Sequence, residues 1–229
     1  MENCENEILR HEIKHEINVA DMYVIRQRLK SVMKADSHAE NGKYLVRSLY
    51  FDDPFDSALM SKISGDKVRE KYRIRMYNFS SSFIRLERKF KNGGLGKKDS
   101  ALLTKEQTLK IINSDIDWMK DSDNEVILNF YGKLKNKLLK PKVIVDYIRE
   151  PFVFPAGNVR VTLDYDIRTC LESKDFFNEN CVSIPVKENS IILEVKWDAF
   201  LPDIVRDAVG LSSRRAGAYS KYAASRMYG

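Results

Sequence analysis

Strict period-two alternation with one charged side, repeated in run after run, most constrains what this chain can fold into. In a strand, residues i, i+2 and i+4 share one face. Over Val68–Tyr77 that rule puts Arg73 and Arg75 on one face and Tyr72, Ile74 and Met76 on the other. Ser82–Phe90 groups Arg85, Glu87 and Lys89 against Ile84, Leu86 and Arg88. Asn158–Arg168 groups Arg160, Thr162, Asp164, Asp166 and Arg168 opposite Val159, Val161, Leu163, Tyr165 and Ile167. Ile192, Glu194, Lys196 and Asp198 oppose Leu193, Val195 and Trp197, and the run Ile8–Ile17 groups Arg10, Glu12, Lys14 and Glu16. For any single strand, an antiparallel sheet with one wet, ion-paired face accounts for this. Five repeats dominated by Arg, Lys and Glu favour a sheet that closes on itself with helices outside, so that the charges line a polar lumen. There Arg and Lys match phosphate oxygens, and interleaved carboxylates brace them or ligate Mg²⁺ or Mn²⁺.

Between the alternating runs the sequence predicts helices. Asn18 caps a helix to about Met33 with Met22, Ile25, Leu29 and Val32 on one face. Thr104 and Gln107 have capping-box spacing and open a helix to Asn113. A further helix, Asn124–Leu138, carries Ile127, Phe130, Leu134 and Leu138, and Pro141 closes that region. Strands are predicted at Leu45–Phe51, ending at Asp52-Asp53-Pro54, and at Lys142–Arg149. Gly93, Gly94 and Gly96 read as plain loop glycines, and Leu201–Tyr228 as a helix, a break at Gly210–Ser213 and a second short helix. No repeat or linker divides the chain, so residues 1–229 read as one α+β domain with a helical insertion near 104–139.

Lys plus Arg is 39 and Asp plus Glu 33, a net charge of +6 that favours an anionic partner without naming it. The charged N-terminus is no signal peptide and no window is apolar enough to span a bilayer, so a cytoplasmic protein is expected. Cys4, Cys170 and Cys181 form no C-x-x-C pair and have no histidine at zinc spacing, which fits a reducing compartment. There is no G-x-x-x-x-G-K-[ST] loop and no Ser-His-Asp pattern. His11 and His15 fall opposite the charged face of the first strand and read as packing or surface residues, and His38 has no partner at useful spacing. Base-specific RNA binding would want exposed aromatics on the basic face. Tyr72 and Tyr77 fall on the other face or at its end, so no nucleic-acid partner is expected.

Nine short motifs in order resemble the polyphosphate-polymerase domain of the vacuolar transporter chaperone (VTC) complex, a branch of the triphosphate tunnel metalloenzyme (CYTH-like) superfamily. They are R-H-E-I-K at Arg10–Lys14, S-L-Y-F-D-D at Ser48–Asp53, K-Y-R-I-R-M-Y at Lys71–Tyr77 and L-E-R-K at Leu86–Lys89. G-L-G-K-K-D-S-A at Gly94–Ala101, Y-I-R-E-P at Tyr147–Pro151, V-R-V-T-L-D at Val159–Asp164, L-E-V-K at Leu193–Lys196 and Y-S-K-Y at Tyr219–Tyr222 complete the series. The resemblance implies a closed eight-stranded antiparallel β-barrel that transfers the γ-phosphoryl of ATP onto a growing inorganic polyphosphate, with Mn²⁺ or Mg²⁺. It implies Lys14, Arg73, Arg75, Lys89, Arg149 and Lys221 as catalytic phosphate-binding residues, with Lys98, Arg160 and Lys196 as further phosphate contacts. Lys98 is preferred to Lys97 by its spacing from Ser100-Ala101. Glu194 would be the metal ligand, with Glu87 a second candidate or else a brace for Arg75 or Lys89.

The superfamily often opens with E-x-E-x-K, whereas Arg10 stands at the first acidic position here, which argues against a typical adenylyl cyclase or thiamine-triphosphatase. No inositol-phosphate-sensing domain or membrane anchor accompanies the nine motifs, so a stand-alone, prokaryotic domain is expected, with docking to a membrane protein left open. Two other functions remain at this stage. One is a tripolyphosphate or nucleoside-triphosphate hydrolase in the same lumen, with Glu12 or Glu87 orienting water. The other is a non-catalytic polyphosphate-binding module.

Overall fold

The computed structural model describes residues 10–92, 95–210, 217 and 219–228. Its strands are β1 (His11–Ile17), β2 (Lys34–Ala35), β3 (Tyr44–Asp52), β4 (Val68–Tyr77), β5 (Ser80–Asn92), β6 (Leu95–Leu103), β7 (Lys140–Phe154), β8 (Val159–Cys170), β9 (Ile184–Pro185) and β10 (Ile191–Trp197). Its helices are α1 (Val19–Val32), α2 (Ser57–Ile63), α3 (Lys105–Ile112), α4 (Glu125–Asn136), α5 (Asp203–Ala208) and α6 (Lys221–Tyr228). Eight strands pair antiparallel in the order β1-β10-β8-β7-β3-β4-β5-β6, with β2 and β9 added beside β7 and β8.

Alternation sorts the side chains of this curled sheet. The convex face of β3 to β6 buries Leu49, Ile74, Met76 and Leu86 against Ile111 of α3 and Phe130 of α4. The convex face of β8 and β10 buries Val161, Leu163, Leu193 and Val195 against Ile25 and Leu29 of α1 and Val205 of α5. Both expected helix starts form: Asn18 accepts from the Asp21 amide at 2.8 Å, and Thr104 from the Gln107 amide at 3.0 Å.

The closed barrel expected from the sequence is corrected to an open, curled sheet. The end strands β1 and β6 share no backbone ladder among the described residues. Side chains bridge the gap instead, with Lys89 on β5 reaching Glu12 on β1 at 3.4 Å. The helices are not all outside either. Leu59 of α2 and Tyr222 of α6 pack on the concave face against Tyr50, Val143, Val145 and Tyr147, closing off part of the lumen with apolar contacts. The sequence reading missed α2 and β6. α2 is seven residues long, and it is held by Asp52, whose carboxylate accepts from the amides of Ala58 and Leu59 at 2.9 and 3.1 Å. β6 carries Gly96, Lys97, Lys98 and Asp99, poor strand formers that owe their conformation to the β5 ladder.

One face assignment fails through a bulge. The β7–β8 register shifts between Asp146 and Ile148, and Asp166 adopts φ 49°. Beyond it the alternation inverts, so Ile167 joins the concave apolar cluster. Arg168 instead donates to the Ser183 hydroxyl at 2.9 Å, away from the charged face. The break expected at Gly210–Ser213 falls largely, and the Gly93-Gly94 loop wholly, outside the described residues.

Candidate functional site

Three charge clusters, built on four carboxylates that each hold more than one cation, organise the concave face. Glu87 on β5 is buried between Arg73, at 2.6 Å, Lys98 of β6, at 2.5 Å, and Arg75, at 3.9 Å. Burial alone would raise the Glu87 carboxyl pKa, but Arg73, Arg75 and Lys98 hold it far below the usual range. Arg73 also donates to the Tyr50 hydroxyl at 3.0 Å, and Arg75 to Ser48 Oγ and Tyr147 Oη at 3.1 and 3.0 Å. Lys98 thus faces the trough, whereas Lys97 reaches towards Asp99 at 3.5 Å on the other side of β6.

Asp164 on β8 is the second organiser. Arg149 of β7 grips it with two bonds of 2.7 Å, and Lys221 of α6 adds a third contact at 2.6 Å. Burial opposes its charge, but Arg149 and Lys221 bring its pKa down to about 2. The third group is a ring of alternating sign. Lys14 lies 2.6 Å from Glu12 and 3.1 Å from Glu194, while Lys196 lies 2.5 Å from Glu194 and 3.7 Å from Glu12. Antiparallel pairing explains the ring: Glu12 faces Lys196, and Lys14 faces Glu194, across the β1–β10 ladder. Despite burial, Glu194 and Glu12 hold the Lys14 pKa above its ordinary value.

Lys89 completes the ring. Burial takes its pKa down to about 7; Glu12 opposes that shift, while Lys14, Lys71 and Lys196 add to it. Tyr50 shifts likewise, since Arg73, Lys71 and Arg75 overcome its burial and lower the phenol pKa to about 7. Arg160 stands apart from these three groups, bonded to the Tyr44 hydroxyl at 2.9 Å and to Asp36 at 3.0 Å.

Of the residues named from the sequence, Lys14, Arg73, Arg75, Glu87, Lys89, Lys98, Arg149, Glu194, Lys196 and Lys221 therefore converge on one trough, with Arg160 at its side. Sequence reasoning gave Asp164, Tyr50, Tyr147 and Ser48 no role. All four lay in quoted motifs, and Asp164 also had the right parity on a charged face; the other three are uncharged and gave no sign of charge chemistry.

Metal-binding capacity differs between the carboxylates. Each Glu87 oxygen already faces a cation, so it fits the role of a brace. Glu12 and Glu194 converge on the same two ammonium groups. Two carboxylates suit a divalent cation whose remaining ligands are water and substrate phosphate. No cluster of three or more His, Cys, Asp or Glu suited to a metal occurs among the described residues.

Residues 9–228 match the VTC domain. The chain belongs to that family. No curated protein matches it. Among solved structures, this VTC domain is similar to a candidate adenylate cyclase from Bacillus halodurans, at TM-score 0.49 and 14% identity over 82% of this chain and 80% of that one. A second, also a candidate adenylate cyclase, comes from Vibrio parahaemolyticus, at TM-score 0.49 and 10% identity over 93% and 95%. At those levels neither bears on activity. No helix among the described residues of the VTC domain is long and apolar enough to cross a membrane.

Proposed function

We propose that the trough binds a linear phosphate chain and transfers the γ-phosphoryl of ATP onto inorganic polyphosphate. The observation that carries this reading is the convergence of Arg73, Arg75, Lys98, Arg149 and Lys221 around only two carboxylates, Glu87 and Asp164. Membership of the VTC family supports nucleotide and polyphosphate substrates. Phosphoryl transfer between phosphate chains needs no protein nucleophile, because the acceptor is itself a phosphate oxygen. Positioning and charge stabilisation do the work.

Each residue then has a task. Arg73, Arg75 and Arg149 supply rigid bidentate donors to phosphate oxygens, held in place by Glu87, Tyr147 and Asp164. Lys14, Lys89, Lys98, Lys196 and Lys221 supply mobile point charges. The side position of Arg160 suits it to an end of the chain rather than to the transferred group. Glu194, with Glu12, would hold a Mn²⁺ or Mg²⁺ ion, which when bound neutralises charge developing on the phosphate oxygens. Glu87 acts as a brace.

Incubation with ATP and Mn²⁺, with products resolved on a gel, tests the reading. A ladder of polyphosphate supports it. Release of orthophosphate alone would make the protein a hydrolase of the same trough. Tight polyphosphate binding with no turnover would make it a binding module.

A further inference from the structure

Two thiols meet on the convex side of the sheet, away from the trough. Cys170 ends β8, buried in the core cluster that holds Ile144 and Phe176, and Cys181 packs against that cluster from the loop that follows. The Cys181 side chain lies within hydrogen-bonding reach of the Cys170 thiol, whose sulfur also donates to the Glu172 carbonyl at 3.7 Å. The loop between the two cysteines is held in place. Phe176 is fully buried, and just beyond Cys181 the short strand β9 pairs with β8 through Ile184 and Thr169. From β3, one amino nitrogen of Arg47 donates to the carbonyls of Asp175, Phe176 and Asn178 at 3.2, 3.2 and 2.7 Å.

The two sulfurs stand in unlike surroundings. The other amino nitrogen of Arg47, bonded to Asp146 at 2.7 Å, also donates to Cys181 Sγ at 3.0 Å. A guanidinium at that distance favours anionic sulfur, the form that attacks oxidants and disulfides. Burial pushes the Cys170 thiol up to about 11, and its bond with Cys181 adds to the shift, so Cys170 keeps its proton until its partner has reacted. Access is unlike as well. Cys181 is half-buried beside Val182, which is 86% exposed, whereas Cys170 itself is 3% exposed. A small oxidant therefore reaches Cys181 first.

We propose that Cys170 and Cys181 are a redox-modification site, which a hydroperoxide converts to an intramolecular disulfide that ties the Phe176 loop to the end of β8. Cys181 is the attacking sulfur and Cys170 the resolving one. In the first step Cys181 sulfur attacks a peroxide oxygen and the O–O bond breaks. The leaving hydroxide takes up the proton of the Cys181 thiol, giving water and a sulfenic acid. In the second step Cys170 sulfur attacks Cys181 sulfur and the S–O bond breaks, and hydroxide leaves with the Cys170 proton as a second water. Two thiols thus lose two electrons and two protons, and one hydrogen peroxide becomes two waters. In a reducing compartment the bond is transient, because small thiols reverse it by exchange.

The test uses the full chain carrying Cys4→Ser, because Cys4 lies outside the described residues. Reduced, folded protein is treated with stoichiometric hydrogen peroxide, alkylated, and digested with trypsin, which cuts after Lys174 between the two cysteines. Mass spectrometry should find the Cys170 and Cys181 peptides joined, and dithiothreitol should separate them. The melting temperature should rise by about 5 °C on oxidation and return on reduction, since the cross-link constrains the unfolded chain. With Cys170→Ser added, oxidation should stop at a sulfenic acid on Cys181 that dimedone traps. With Cys181→Ser added instead, Cys170 should stay reduced. The joined peptides and the melting shift of the Cys4→Ser protein decide the matter even if Cys170→Ser, a change in the core, fails to fold. Thiols that remain free, a sulfinic acid on Cys181 with no joined peptides, or a sulfenic acid on Cys170 would overturn the proposal. So would an oxidised protein that melts with the reduced one, because the loop would then not be tied by the bond.

Discussion

Lys221, on the last helix, donates to Asp164 in the middle of β8 at 2.6 Å, across 57 residues of sequence. The next residue, Tyr222, donates from its hydroxyl to Asp52 at 2.6 Å, the same carboxylate that accepts from the amides of Ala58 and Leu59 at the start of α2. Arg226 then grips Asp56 with two bonds of 2.9 Å. One short helix thus ties the trough's charge to the helix that borders its open end.

Asp164→Asn should therefore cost stability first. It leaves Arg149 and Lys221 buried without a counter-charge, a change worth about 3–5 kcal/mol. The folded pKa of Asp164 lies at about 2, below its ordinary 3.8. Its stabilisation is then complete above about pH 4 and is lost as pH falls through about 2. Urea melts at neutral pH should separate wild type from variant by that amount, and the gap should close on acidification. Saturating tripolyphosphate should stabilise the variant more than wild type, because an anion replaces the missing charge. A variant that melts with wild type would show that Asp164 does not balance these cations.

Arg75 and Lys221 approach each other through Tyr147. Arg75 donates to the Tyr147 hydroxyl at 3.0 Å, and the Lys221 ammonium lies 4.5 Å from the centre of its ring. Arg75→Ala and Lys221→Ala should each weaken tripolyphosphate binding by about 1.5–3 kcal/mol, the scale of charge-assisted hydrogen bonds. Two residues sharing one anion should also be non-additive in the double variant. Small, additive losses that vanish at moderate salt would instead describe an exposed basic surface.

The charged parity of β1, β4, β5 and β10 was legible because each strand alternates without interruption through the residues that carry its charges; the β4–β5 register shifts only between Arg75 and Tyr77. β8 was legible only as far as Asp164. A single residue at positive φ, Asp166, inverts everything after it, and nothing in the local composition marks that position. The concave face of β3 escaped for another reason. Val46, Ser48 and Tyr50 carry no charge, so the residues that orient Arg73 and Arg75 look like ordinary strand. Closure was misjudged because alternation fixes which way side chains point and not whether the first and last strands pair. The buried pair of Arg47 and Asp146, 2.7 Å apart on the convex side, shows the same limit: a charge of odd parity in a core strand has no local signal.

Glu194→Gln keeps the side chain's shape and removes its charge. In the presence of tripolyphosphate, Mn²⁺ affinity measured by electron paramagnetic resonance should fall by about tenfold or more, with folding intact. Glu12→Gln should produce a smaller loss in the same direction. Glu87→Gln should leave Mn²⁺ affinity near wild type and lower the melting temperature, because Arg73, Arg75 and Lys98 lose their common partner. Superimposable Mn²⁺ titrations for Glu194→Gln and wild type would reduce Glu194 to a brace for Lys14 and Lys196.

Lys89 gives the binding reaction a pH signature. Its pKa of about 7 in the free protein means that about half of it is neutral at pH 7. A polyanion beside it favours the charged form, so binding should draw up to about half a proton from solution at that pH. Affinity should weaken as pH rises above about 7, where the proton must be supplied at increasing cost. The stability term runs the other way. The folded pKa lies below the ordinary 10.5, so Lys89 opposes folding most strongly below about pH 7, and that opposition fades between about pH 7 and 10.5. Calorimetry in buffers of differing ionisation enthalpy measures the proton count directly. Wild type should take up protons on binding tripolyphosphate at pH 7 to 8, and Lys89→Met should take up markedly fewer. Equal uptake by both proteins would move the titration to another group of the trough, such as Lys71 or Tyr50, whose pKa values are lowered to about 8 and about 7.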